Sequence, residues 1–513
     1  MLKFSNYNYK NYFYKKINMA NKQEFIDSVN EGYTSKGDYL TLGAAMLGDE
    51  TMAEAFVNIP LKTINRHGLI AGATGTGKTK TLQVFAENLS ENGIPVLLMD
   101  VKGDLSGLAK AGENNKHITE RHQKIGLTYD PKNFPVEILT ISEQNGTRLR
   151  ATVSEFGPTL LSRILDLSEV QSGIVAIIFQ YCDDHKLPLL DLKDFKKILQ
   201  FSTQEGKEAF ESSYGRISTA STGSILRKIV ALEQQGGDLF FGERSFEVKD
   251  LTRIADDGRG IISILRLTDI QDKPQLFSTF MLQLLAEIYN TFPEQGDSDR
   301  PELVMFIDEA HLVFENASKT LLNQIESIIK LIRSKGIGIY FVTQNPKDIP
   351  ADVLSQLGLK IQHALRAFTA KDRKAIKLAA ENYPESPFYE TSEELTKLGI
   401  GEALISALSE KGIPTPLAKT MLRAPMSRMD ILSPNELEEL LHLSKISGKY
   451  NEKIDSESAY EILNSKIEEV NKHKEVQSKQ KSTKKAPLDP IIKVVTSATF
   501  IRGVFGILNK VLK

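Results

Sequence analysis

The chain has 513 residues, 41% hydrophobic and 25% charged, an ordinary globular balance that excludes bulk disorder, collagen and a disulfide scaffold. With 64 basic and 66 acidic residues the net charge is −2, so coating of nucleic acid by bulk charge is excluded while a local basic channel is not. A single cysteine, Cys182, excludes an internal disulfide and a multi-cysteine metal site, and makes the cytoplasm the natural compartment.

Residues 1–18 interleave lysines with Tyr and Asn and contain no acid. They lack the apolar region of a signal peptide and read as a disordered extension or an upstream mis-start. The sharper alternative is a basic aromatic arm touching nucleic acid. Residues 19–66 predict a short β-containing segment broken by Gly and Pro. Then His67–Ala71, a glycine-rich turn, a helix over Lys78–Asn92 and an apolar run over Ile94–Met99 read as a βαβ unit. Residues 131–258 carry apolar residues at helical spacing, with start signals at Ser168 and Asp191, and predict a helical insertion.

The α/β alternation resumes with strands over Ile261–Leu265, Leu303–Ile307, Gly338–Thr343 and Leu359–Gln362. Helices over Phe277–Thr291, Lys319–Ser334 and Ala370–Glu381 separate or follow them. The pattern predicts a largely parallel sheet covered on both faces, a core built from 67–130 and 259–430. Residues 431–470 form a charged helical segment and 471–490 a Lys-rich linker. Residues 491–513 read as a basic amphipathic helix that docks on the protein's own body, on a partner or on a membrane surface. No apolar run reaches the ~18 residues that span a bilayer.

Gly72-Ala73-Thr74-Gly75-Thr76-Gly77-Lys78-Thr79 fits G-x-x-x-x-G-K-[ST]. The glycines let backbone N–H groups converge on phosphate oxygens, and the helix start aims its donors and dipole at the same anion. Lys78 then reaches the β and γ phosphates of ATP, the Thr79 hydroxyl ligates Mg²⁺, and Lys80 flanks the cradle. A chance match in a chain this long has odds of roughly 2%, and the context of strand before and helix after is the required one. The run Leu303–Ile307 delivers Asp308 and Glu309 to the ligand edge of the sheet. Asp308 suits the Mg²⁺ shell and Glu309 the polarisation of an attacking water. A switch needs only the first acid, so the second favours hydrolysis over binding alone.

Gln344, at the end of another apolar strand, faces the γ-phosphate if that strand neighbours the first one. Otherwise it is a strand-end cap. Arg333, Arg366 and Arg373 are candidates for positive charge at the transition state, in cis or from a neighbouring subunit. His311 is a γ-phosphate sensor or a half-buried helix-start residue. Asp104 serves a ligand contact, a subunit interface or a plain turn. Cys182 reads as a buried small apolar residue.

Asn65 to Thr79, with Asp100–Leu108, Gly157–Leu165, Tyr214–Glu243, Asp308–Val313 and Tyr340–Arg366, resembles the HerA-like branch of the FtsK–HerA motor ATPases, and more narrowly its bacterial YjgR-type family. The resemblance spans about residues 35–430. It implies a RecA-like P-loop NTPase core of the additional-strand catalytic-Glu type, in α/β class. In it the phosphate loop is Gly72–Thr79 and the metal and water acids are Asp308 and Glu309. It further implies a hexameric ring that moves double-stranded DNA through a central pore. The region before Gly68 is too short for the full N-terminal β-barrel of archaeal members. Other readings are an ATP-dependent scaffold or switch, and a motor acting on protein cargo.

Overall fold

The computed structural model describes residues 21–468, apart from 271, 297, 315–318, 368, 453 and 455. The expectations for 1–18, 471–490 and 491–513 fall outside the described residues. After helix α1 (residues 21–33), β1 (Tyr39–Leu47) and β2 (Glu50–Pro60) pair as a hairpin. Then β3 (Gly68–Ala71), α2 (Lys78–Glu91) and β4 (Val96–Asp100) make the expected strand–loop–helix–strand unit. Helix α3 (Lys116–Ile125) leads to β5 (Val136–Thr140) and β6 (Thr147–Arg148).

Six helices follow: α4 (Val153–Ile164), α5 (Glu169–Asp184), α6 (Leu192–Thr203), α7 (Lys207–Tyr214), α8 (Thr219–Gln234) and α9 (Gly237–Phe240). The sheet is then rejoined by β7 (Ile262–Arg266), with α10 (Pro274–Thr291) behind it and β8 (Leu303–Ile307) next. Helices α11 (His311–Phe314) and α12 (Lys319–Ile332) precede β9 (Ile337–Thr343), and α13 (Ala351–Leu354) precedes β10 (Leu359–Gln362). The remainder is α14 (Ala370–Ala380), α15 (Thr391–Lys397), β11 (Glu402–Ser406), β12 (Ala418–Leu422), α16 (Pro434–His442), α17 (Ser447–Asn451) and a helix over 459–468.

Among the described residues the strands form one 12-stranded sheet in the order β2-β1-β12-β11-β10-β3-β9-β8-β4-β7-β5-β6. From β10 to β6 every neighbour is parallel. From β10 back to β2 every pair is antiparallel. β4, β8 and β9 are buried at every position, as continuous apolar runs in a doubly covered parallel sheet must be. Helix α12 turns Ile325, Ile328, Ile329 and Ile332 inward at helical spacing. Beneath α2, Phe85 packs on Phe306 of β8 and Tyr340 of β9, with ring centroids 5.8 and 5.3 Å away. These rings tie the phosphate-loop helix to the two strands that carry the other candidate groups.

The chain divides into two compact units. One runs to Leu149 and resumes over Phe246–Glu452; the other comprises Arg150–Ser245 with the described residues beyond 453. The expected helical insertion of 131–258 is therefore shorter at both ends. Its first residues supply β5 and β6 to the sheet. The disguise is Glu137, buried in β5 and paired at 2.8 Å with Arg253, which lies 116 residues further on. In the second unit the expected starts at Ser168 and Asp191 are capping boxes. Tyr181 stacks on Phe210 at 4.2 Å beside the buried Cys182. Asp194 of α6 accepts from the amide of Tyr460 at 2.8 Å and from the Ser458 hydroxyl, anchoring the 459–468 helix within that unit.

Candidate nucleotide site

The register of β3 against β9, Ala71 opposite Thr343, and against β10, Ala71 opposite Gln362, puts the loop after β3 between the ends of two strands. The loop is pinned on both sides. Gly72 N donates to Thr343 O at 3.3 Å and Ala73 N to Ala364 O at 2.9 Å. Gly72, Gly75 and Gly77 all take positive φ. A Cβ on Gly72 would stand 2.5 Å from the Cβ of His363, so only glycine fits there. Gly77 opens α2 in the left-handed region at φ 112°.

Lys78 folds back into this cradle, its Nζ donating to Gly72 O at 2.7 Å and Ala73 O at 3.1 Å. Burial, with Lys102 nearby, lowers its pKa. Thr76 Oγ1 donates to Ala73 O at 2.7 Å, and Thr76 O accepts from Gly401 N at 3.0 Å. Arg121 in turn holds the 400–401 turn by donating to the carbonyls of Ile400 and Gly401 at 2.9 and 3.1 Å. Thr74 Oγ1 donates to Gln344 Oε1 at 3.2 Å. Thr79 is half-buried, and Lys80 Nζ reaches the carbonyl of Met429 at 2.5 Å.

Asp308 and Glu309 follow β8, which is separated from β3 by one strand, β9. Gln344, at the end of β9, thus stands between the phosphate loop and the two acids. Asp308 is 4% exposed, and burial pushes its carboxyl up to about 7 against the opposing charge of Lys102. Burial would also raise Glu309, but the hydrogen bond and charge of Lys102 outweigh it and hold that carboxyl below its usual range. Lys102 Nζ lies 2.5 Å from Glu309 Oε1 and 3.8 Å from Asp308 Oδ2. His311 Nδ1 is 3.2 Å from Glu309 Oε2, and the charge of His311 and a side-chain hydrogen bond from Gln344 also lower the Glu309 pKa. Glu309 itself sits at φ 47°.

Three residues of the site were not singled out by the sequence. Lys102 shares its turn with Asp104; its signal in the sequence is a cation two residues past a buried strand. His363 packs against Gly72 with its Nε2 2.9 Å from Thr81 Oγ1, and burial lowers its pKa to about 4. Arg121 had no local signal. Asp104 Oδ1 is buried without a partner.

The candidate arginines separate. Arg366 is exposed on the loop after β10, at the phosphate end of the sheet. Arg373 lies in α14. Arg333 precedes β9, which runs parallel to β3, so it stands at the opposite end of the sheet. Six steps of β9 at roughly 3.3 Å each put it about 20 Å from the loop of its own chain. There it lines a cavity of about 310 Å³ with Lys62, Asn65, Arg66 and Lys330.

A glycine cradle at a helix start, a buried acid pair one strand away and an amide between them define a P-loop ATPase with a RecA-like, additional-strand core. The fold agrees with the bacterial conjugative coupling protein TrwBdeltaN70 in its unbound form. That structure has a TM-score of 0.50 at 16% identity, over 79% of this chain and 95% of that one.

The chain belongs to the helicase HerA-like C-terminal family, whose model matches residues 46–502. It is 23% identical to the DNA double-strand break repair helicase HerA of Saccharolobus solfataricus, over 72% of this chain and 67% of that one. It is 26% identical to the DNA import protein CedB of Sulfolobus acidocaldarius, over 69% of this chain and 52% of that one.

Among the described residues no group of three His, Cys, Asp or Glu forms a dedicated metal cage. Mg²⁺ in a phosphate site needs no such cage, being held by one or two protein oxygens together with phosphates and water. Thr79, at the start of α2, and Asp308, after β8, are the oxygens that the sequence nominates for it. No helix of the described residues is long and apolar enough to cross a membrane.

Proposed function

We propose that this chain is a Mg²⁺-dependent ATPase that assembles as a hexameric ring in the cytoplasm and moves along double-stranded DNA. The observation that carries the reading is Glu309, buried beside Asp308 and one strand removed from the phosphate loop, with Gln344 between them. The names of the relatives, a DNA repair helicase and a DNA import protein, support DNA as the cargo.

In this reading Gly72–Thr79 wraps the phosphates, and Lys78 exchanges its two loop carbonyls for phosphate oxygens. Lys80 steadies the helix start. Thr79 and Asp308 would hold Mg²⁺, which would supply positive charge against the phosphates. Glu309 takes the proton of the attacking water, and Gln344, released from Thr74, orients that water. Arg366, on the phosphate edge, acts within its own subunit. Arg333 is too distant for that. It serves the site of the next subunit, and the basic cavity around it is the face presented to that neighbour.

The test is ATP turnover by the purified protein with and without linear duplex DNA, beside Lys78→Ala and Glu309→Gln. Several-fold stimulation that both variants abolish is the expected result. Turnover indifferent to DNA would transfer the cargo to protein or make the chain an ATP-dependent scaffold.

A further inference from the structure

We propose that Lys102 is a positioning residue for hydrolysis. It latches Glu309 in the resting site and lets it go when nucleotide phosphates and their divalent cation are bound. The inference rests on the reading of Glu309 as the group that polarises water.

The latch is built by the backbone before any charge is counted. β4 and β8 are parallel neighbours with Met99 opposite Ile307, so the turn after β4 opens beside Asp308 and Glu309. That turn is fixed by Asp100, whose buried carboxylate accepts from the amides of Gly103, Asp104 and Leu105 at 2.7, 3.3 and 3.2 Å. Gly103 completes it at φ 77°. A Cβ there would lie 2.8 Å from the methyl of Thr268. Lys102 is thereby carried over the end of β8, where it meets Glu309 Oε1 at 2.5 Å and Asp308 Oδ2 at 3.8 Å. Lys78, the other ammonium of the site, is occupied with its own loop.

A carboxylate tied to an ammonium is a weak proton acceptor. Glu309 is only 8% exposed in its side chain, whereas Lys102 is 35% exposed. The lysine can therefore withdraw along its flexible stem into water, while the glutamate cannot. Nucleotide phosphates stay net negative even with a divalent cation at Thr79 and Asp308, so a filled site would offer Lys78 and Lys102 new anionic partners. The phosphate oxygens compete with Glu309 for the ammonium that can swing most freely, which is Lys102. Its departure frees Glu309 only in a filled site, so an empty or half-filled subunit does not present an active base.

The experiment combines turnover with a double-variant cycle of Lys102→Met and Glu309→Gln, read by thermal stability. The cycle is run on nucleotide-free protein and again with Mg²⁺ and a non-hydrolysable ATP analogue. Unstimulated turnover by Lys102→Met is expected to rise about two- to five-fold, the population shift that a half-exposed ion pair supports. Lys102→Arg restores the low rate. The two substitutions are coupled in the nucleotide-free protein and additive with the analogue bound. Turnover of Lys102→Met falling to the level of Glu309→Gln overturns the proposal, since the reaction would then require Lys102 instead of being held back by it. Additivity in the nucleotide-free protein overturns it too. Glu309→Gln retaining wild-type turnover would instead remove the base reading itself, and the stability cycle would still report the ion pair. Lys102→Gln replaces the methionine variant if the latter does not fold.

Discussion

His67 enters β3 at φ 59°, a conformation that costs a non-glycine residue of order 1–3 kcal/mol. Its ring offsets that cost. Nδ1 accepts from the amide of Ile339 at 3.1 Å, and Nε2 donates to the carbonyl of Ile329 at 3.0 Å. The neutral ring thus joins β3 to β9 and to α12. Burial lowers its pKa from 6.5 to about 4. The unfolded chain takes up the proton as pH drops through that window and the folded chain does not. The stability it contributes is therefore complete above 6.5 and lost as pH falls towards 4, by about 3 kcal/mol. Denaturant titrations between pH 4 and 7 should show this slope in the wild type and a weaker one in His67→Gln. Equal slopes would mean that the ring is protonated in the fold. At Gly72 the expected outcome is sharper. Gly72→Ala drives a methyl into His363, 2.5 Å away, and should lose nucleotide binding by equilibrium titration while the chain stays folded.

Helix α2 does more than present Lys78. Along one face, Lys80, Gln83 and Glu87 hold the segment after β12. Gln83 Nε2 donates to Ser427 Oγ and Arg428 O at 2.8 and 2.9 Å. The buried carboxylate of Glu87 accepts from the amides of Met426 and Ser427 at 2.8 and 3.0 Å, and from the Ser427 hydroxyl. Burial raises Glu87 from 4.5 to about 6. Its sign is opposite to that of His67: the folded state holds the extra proton, so stability falls as pH rises from 4.5 to 6. Glu87→Ala strands three buried donors and should cost about 2–4 kcal/mol in a denaturant midpoint at pH 7. A cost under 0.5 kcal/mol would show that water replaces the carboxylate.

The largest prediction concerns assembly. Arg333 is a sheet's length from the phosphate loop of its own chain, among Lys62, Arg66 and Lys330. Arg333→Ala and Glu309→Gln should each abolish turnover as uniform assemblies. Co-assembled, they create interfaces in which one subunit's intact Glu309 faces a neighbour's intact Arg333, and a fraction of the activity should return. Mixing that restores nothing, with assembly confirmed by mass, would place the needed arginine on the same chain as Glu309, where Arg366 becomes the candidate.

Much of this was local chemistry, and local chemistry is written in order along the chain. A phosphate loop needs its glycines, lysine and threonine within eight residues, and Gly72–Thr79 supplies them consecutively. Leu303–Ile307 and Ile337–Thr343 were readable as strands because a strand buried on both faces must be apolar throughout. β5 was not, because its buried Glu137 is made tolerable by Arg253, and a partner 116 residues away leaves no mark on the strand itself. For the same reason the boundaries at Arg150 and Ser245 were invisible to helical spacing. Tertiary structure alone brought Lys102 onto Glu309, set Gln344 between loop and acids, and sent Arg333 to the far end of the sheet. Residue type states what a side chain can do; strand order and strand direction decide which groups stand close enough, in a medium of low enough dielectric, to do it together.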